Sequence, residues 1–189
     1  MYRYFVGLGS NVNPYINVTI MLQELFNLSE EVDVSRIIET HPVGFESDNN
    51  FLNLSVRIKT EENAYQLKER FNAIETQLGR DRTDINKKLK DCIADLDILF
   101  FLNEQESIVK ESLLPSEPYK RPTLVELIHF LGFECNVPSG LLQEGIEIHI
   151  DNILIGRKPV TLSKEKETKQ IILIVKSHTQ SGDDYSAYP

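Results

Sequence analysis

The chain predicts an α+β domain, one antiparallel sheet with two helices on a single face, and three observations predict it. Two runs carry apolar residues at helical spacing, and they are interleaved with four runs that read as strands. The elements follow the order strand, helix, strand, strand, helix, strand. At 189 residues and 41% hydrophobic content, the chain can bury one good core and needs no second.

Residues 2–8 read as the first strand, ended by Gly9-Ser10-Asn11. Asn13-Pro14 then reads as a helix N-cap followed by proline at the first helical position, and Val18, Met21, Leu22 and Leu25 form one apolar stripe. A weaker strand is expected over 32–40. The clearest strand is 51–60, where Leu52, Leu54, Val56 and Ile58 alternate with Phe51, Asn53, Ser55, Arg57 and Lys59. Residues 64–78 form the second amphipathic helix, with Leu67, Phe71, Ile74 and Leu78 on one side and Gly79 as its C-terminal cap. A strand over 93–101 closes the series. This is the ferredoxin-like βαββαβ plan. It brings 9–13, 41–50 and 80–91 to one end of the sheet and places Phe51, Asn53, Asp95 and Asp97 on the face the helices leave uncovered.

Beyond residue 101 the sequence predicts an extension containing strands. Pro115, Pro118 and Pro122 precede a helical run at 124–131, and 146–150 pairs with 153–155 as a hairpin through Asp151-Asn152. An apolar strand follows at 170–175, and 177–189 reads as a disordered tail. The expected organisation is one domain over 1–176, with its core at 2–102 and the extension at 103–176.

Asp95 and Asp97 stand two apart in a run that otherwise reads as a buried strand, so both carboxylates project from one face. Such neighbours raise each other's pKa and favour a bound cation, and hard oxygens without soft partners select magnesium. The alternative is a strand whose acidic face is simply wet. Just upstream, Arg80, Arg82, Lys87, Lys88 and Lys90 outnumber Asp81 and Asp84 in a chain of net charge -9. A basic loop of a dozen residues leading into paired carboxylates suits a phosphate-handling arm beside a metal, although a charge run can also be a solvated surface. The acidic total disfavours nucleic acid. Cys92 and Cys135 are too few for a disulfide framework. No stretch approaches the roughly 18 apolar residues of a membrane span, and the N-terminus lacks a signal-peptide core. A cytoplasmic protein working on small molecules is expected, a monomer or weak homo-oligomer without nucleic-acid or membrane partners. His41, His129, His149 and His178 have no metal-binding spacing and read as ordinary histidines.

Five segments together resemble one enzyme family: Gly7-Leu8-Gly9-Ser10-Asn11, Thr40-His41-Pro42-Val43-Gly44, Phe51-Leu52-Asn53, Gly79-Arg80-Asp81-Arg82 and Asp95-Leu96-Asp97-Ile98-Leu99. In this order and spacing they resemble the 6-hydroxymethyl-7,8-dihydropterin pyrophosphokinases of folate biosynthesis. The resemblance implies transfer of pyrophosphate from ATP to the pterin hydroxymethyl group with release of AMP. By the same resemblance, two magnesium ions are held by Asp95 and Asp97. Arg80 and Arg82 stabilise the migrating phosphates and Glu75 faces the nucleotide; Lys88 or Lys90 is read as a nucleotide-side cation that replaces the arginine absent at Cys92. Thr40, Pro42, Val43, Gly44, Phe51 and Asn53 bind the pterin. The chain departs from the family's pattern at Cys92, where an arginine is usual, at Ser116, where a histidine is usual, and near Thr123, where a second stacking aromatic is expected. Two alternatives remain open at this point: a pterin- or nucleotide-binding paralogue with weak or no turnover, and a ferredoxin-like small-molecule regulatory module.

Overall fold

The computed structural model describes residues 1–85, 90–140 and 143–174. In chain order they form β1 (Tyr2–Ser10), α1 (Pro14–Leu25), β2 (Glu31–Val34), β3 (Ile38–Thr40), β4 (Phe51–Thr60), α2 (Ala64–Gln77), β5 (Asp95–Asn103), α3 (Arg121–Phe130), β6 (Ile148–Ile150), β7 (Ile153–Ile155), β8 (Val160–Lys164) and β9 (Ile171–Ile174). The main sheet runs β5-β1-β4-β2-β8-β9, with β3 beside β4, and all its pairings are antiparallel. The first four strands in that order are the predicted βαββαβ plan. β6 and β7 form the expected hairpin, with Asp151 in the left-handed region at φ 50°. The predicted tail, together with Lys87, Lys88 and Val175, lies outside the described residues.

The single strand expected over 32–40 is broken. Ser35 leaves the ladder: its N–H donates to the Ser55 carbonyl at 2.9 Å while its hydroxyl accepts the Ser55 N–H, and Arg36 turns to Glu126 on α3 at 2.7 Å. Asn13 takes the N-cap position of α1 but does not cap through its side chain. Its φ of 44° is left-handed, a conformation asparagine tolerates, and its carbonyl accepts the N–H groups of Ile16 and Asn17 instead. The helix α2 is closed at both ends. Asn63 and Gln66 form a reciprocal capping box. At the other end Gly79, at φ 97°, allows the Arg80 N–H to reach the Glu75 carbonyl at 2.9 Å. Asn63→Ala should therefore lower stability by about 1 kcal/mol in denaturant unfolding. It should leave turnover unchanged, because Asn63 is remote from the loops that gather at the strand ends.

Two cores flank the sheet. The larger joins Val18, Met21, Leu22, Leu67 and Phe71 of the helices to Leu8, Leu54, Val56 and Leu96, and Ile148, Ile150 and Ile155 of the hairpin close it. On the other face, expected to be bare, Leu124, Leu127 and Ile128 of α3 pack on Phe5, Phe100 and Leu102. Near β5 this face carries Phe5, Phe100 and Leu102, whose burial stabilises the fold; toward β2 it is polar, with Ser55, Arg57 and Asp33 buried, and the end that carries Asp95 and Asp97 stays open. β8, a short and half-polar strand, was not expected. It is fixed by a buried cluster in which Arg57 Nε donates to Asp33 at 2.5 Å and the Thr161 hydroxyl donates to the other Asp33 oxygen at 2.6 Å.

Candidate active site

The three loops predicted to converge do so, and one carboxylate ties them. Asp91 accepts hydrogen bonds from Ser47 Oγ, Asn49 Nδ2 and Asn11 Nδ2 at 2.5 to 2.7 Å, while Asn11 Oδ1 accepts the Cys92 N–H at 2.6 Å. These donors hold the Asp91 pKa below the usual range, with Ser47 the largest cause. Beside this knot lies an open cavity of about 560 Å³. Among the predicted residues, Thr40, Val43, Phe51, Asn53, Arg80, Arg82, Lys90, Asp95 and Asp97 line it. Pro42 lines an adjoining recess, Gly44 turns the loop at φ 89°, and Lys88 lies outside the described residues.

Strand register explains the floor of the cavity. Gly9 of β1 faces Asn53 on β4 and Asp95 on β5, so the row Asn53, Gly9, Asp95 crosses three strands with a gap at its centre. A methyl group at Gly9 would lie 2.9 Å from Asn53 Oδ1, which leans over that gap. Asn53 Nδ2 donates to Thr40 Oγ1 at 2.8 Å. Phe45 meets Phe51 edge to face at 6.4 Å, forming an aromatic corner on this side.

The opposite side is charged. Arg80 donates to Asp95 Oδ1 at 2.5 Å and to the Ala94 carbonyl at 2.6 Å. Burial works against its charge, but Asp95, Cys92 and Glu75 together push the Arg80 pKa up. Asp97 accepts from Lys120 at 3.0 Å and from Lys68 at 3.3 Å. The raised pKa expected from two neighbouring carboxylates is therefore overturned for Asp97. Burial does push it up, yet Lys120 and then Lys68 hold it below the usual range. Glu75 does not line the cavity. Its side chain is 0% exposed, accepts the Leu96 N–H at 2.9 Å and pairs with both Arg80 and Arg82. Burial raises its pKa in spite of those partners.

Cys92 lines the cavity as a thiol that burial pushes up to about 11, so this stretch of wall is neutral. Several lining residues were not foreseen. His41 borders the cavity with Nδ1 2.8 Å from Asn50 Oδ1, and Glu117, Tyr119 and Lys120 enter from the segment before α3. Thr123 points elsewhere, into a buried hydroxyl pair with Ser55 at 2.9 Å. Ser116 stays on the surface beside Glu117.

The donor set suits magnesium. Asp95 and Asp97 are 31% and 38% exposed toward the cavity, and no third acidic, His or Cys ligand joins them among the described residues. Magnesium tolerates this, since it keeps waters and takes substrate phosphates in its remaining positions. The arrangement can thus hold a metal-bound polyphosphate at one end and a flat polar ring at the other.

Known proteins are similar to this chain in sequence. Curated relatives named 2-amino-4-hydroxy-6-hydroxymethyldihydropteridine pyrophosphokinase match the chain. The Bacillus subtilis protein is 37% identical over 117 residues, covering 60% of this chain and 67% of the relative. The Aquifex aeolicus protein is 29% identical over 138 residues, covering 72% and 83%, and the Porphyromonas gingivalis protein is 31% identical over 97 residues, covering 50% and 66%. Residues 5–137 match the family model for 7,8-dihydro-6-hydroxymethylpterin-pyrophosphokinase, and over that span the chain also carries the cavity, the acidic pair and the arginines just described. The chain belongs to the 7,8-dihydro-6-hydroxymethylpterin pyrophosphokinase family.

Proposed function

We propose that the cavity bounded by β3, β4, β5 and the segment before α3 is where this pyrophosphokinase moves pyrophosphate from ATP onto 6-hydroxymethyl-7,8-dihydropterin, a step of folate biosynthesis. One observation carries the assignment: the same cavity joins an open carboxylate pair flanked by arginines to an aromatic corner with fixed polar groups.

The pterin ring lies against Phe51, with Thr40, Pro42, Val43 and Gly44 along its edge. Asn53 reads it with Oδ1, because its amide nitrogen is engaged by Thr40. The triphosphate lies toward Arg80, Arg82 and Lys90, with Lys88 on the same arm. Asp95 and Asp97 hold magnesium, two ions in our reading. When bound, the metal neutralises phosphate charge and orients the chain of phosphates for in-line displacement. The substrate hydroxymethyl oxygen attacks the β-phosphorus and the bond to the α-phosphate oxygen breaks, so AMP leaves.

The work of the protein is positioning and charge stabilisation. Glu75 serves the nucleotide side through Arg80 and Arg82, which it pins to the floor of the site. The neutral thiol of Cys92 offers no bidentate donor to phosphate, which favours a slow enzyme. The protein works in the cytoplasm, where ATP is abundant and the free thiols of Cys92 and Cys135 stay reduced.

Protein incubated with ATP, magnesium and the dihydropterin should yield AMP and pterin diphosphate in equal amounts. Binding of both substrates without AMP would move the chain to the non-catalytic reading, and binding of neither would remove the cavity from the argument.

A further inference from the structure

The four described cations that line the cavity, Arg80, Arg82, Lys90 and Lys120, all rest on carboxylates, but they are anchored differently. Arg80 is held by the Ala94 carbonyl, Asp95 and Glu75. Arg82 sits on fully buried Glu75, and Lys90 on Asp84 outside the cavity wall. Lys68 reaches Asp97 from α2, but its ammonium also donates to the Leu96 carbonyl at 2.9 Å. Among the described residues the Lys120 ammonium has no such backbone acceptor. Its ammonium donates to Asp97 Oδ2 at 3.0 Å, and its other contacts are Glu117 at 3.6 Å and the Tyr119 ring at 5.7 Å. Its backbone, by contrast, is pinned. The Lys120 carbonyl accepts from Thr123 Oγ1 at 3.2 Å and from the Leu124 N–H at 3.3 Å, so the main chain is fixed while the ammonium borders the cavity.

We propose that Lys120 is a transferable countercharge: it sits on Asp97 while the metal is away and passes to a phosphate oxygen of the nucleotide once a divalent cation takes Asp97. This inference rests on Asp95 and Asp97 being the magnesium ligands. An ammonium on a ligand oxygen competes with the incoming metal for the same negative charge. Once displaced, it remains at the edge of the metal's surroundings, where bound phosphates bring new acceptors. Lysine suits the exchange because its three donors rotate about a flexible stem, whereas a guanidinium fork would keep its geometry with Asp97. The exchange leaves a cation in the same cavity that Cys92 lines with a neutral thiol.

The test compares wild type, Lys120→Met and Lys120→Arg at one pH. Binding of manganese alone, followed by electron paramagnetic resonance without nucleotide, should be roughly fivefold tighter in Lys120→Met, since a competing charge has gone. Binding of α,β-methylene ATP at saturating magnesium, followed by calorimetry, should be about tenfold weaker in the same variant. Lys120→Arg, whose fork keeps its hold on Asp97, should bind manganese no tighter than wild type and recover little of the nucleotide affinity. A folding defect weakens both affinities, so opposite signs isolate the exchange. Unchanged or weaker manganese binding in Lys120→Met, or unchanged nucleotide binding, overturns the role of Lys120 while wild type still binds the analogue. If wild type itself fails to bind the analogue, the active-site assignment falls as well.

Discussion

Asp95→Asn and Asp97→Asn are each expected to lower kcat/KM by a factor on the order of 10² to 10³ and to abolish the magnesium dependence of nucleotide binding. An amide keeps the shape of the side chain but not the charge that attracts a hard divalent ion. Sequence considerations alone suggest that either variant gains stability, because two crowded carboxylates repel. The structure reverses this for Asp97. Lys120 and Lys68 hold its pKa below the ordinary 3.8. A carboxyl lowered by folding contributes stability that is present above its unfolded pKa and lost as pH falls through its folded one. Asp97→Asn should thus be slightly less stable than wild type at pH 7, by less than about 1 kcal/mol because the group is partly exposed. The deficit should vanish in strong acid. Calorimetry with a nucleotide analogue, beside unfolding curves at pH 7 and pH 3, checks both halves. Nucleotide affinity that stays magnesium-dependent in both variants would falsify the metal assignment.

Glu75→Gln should separate activity from stability more sharply. The amide oxygen can still accept the Leu96 N–H, so the helix-to-strand contact survives, but Arg80 and Arg82 lose the anion that aims them. Misplacing those guanidinium groups is expected to cost about 10²-fold in single-turnover rate. Stability should move the other way. Burial raises the Glu75 pKa above its ordinary 4.5, so the folded state holds this proton longer than the unfolded chain does. As pH rises from 4.5 through the raised value, wild type loses stability that the neutral amide does not lose. The unfolding midpoint of the variant should therefore gain on wild type between pH 4.5 and neutrality. A parallel fall of midpoint and rate would mean that Glu75 is a scaffold residue alone.

The parts of this site legible in the sequence are those written in strand parity. A period of two states directly which residues share a face, so the common side of Phe51, Asn53, Asp95 and Asp97 needed no coordinates. Glu75 carried a signal that a closer reading of α2 would have used. It lies four residues after Phe71 and eight after Leu67, on the stripe the helix buries, and an acid there needs a partner. Tyr119 and Lys120 carried none. Their place depends on how α3 settles on Phe5 and Phe100, contacts formed between residues far apart in the chain, and the proline-broken segment before it has no period to read. The strand β8 was lost for a related reason: five residues of mixed polarity become a strand only because β2 and β9 flank them.

That strand has one more consequence. Kinship with the family is recorded over 5–137, yet Thr161 and Leu162 sit 0% exposed in the interior, the first hydroxyl closing the acceptor side of Asp33 and the second side chain completing the larger core. The family match and the architecture thus draw different borders on this molecule. What looks from the alignment like an appendix is, from the inside, a wall.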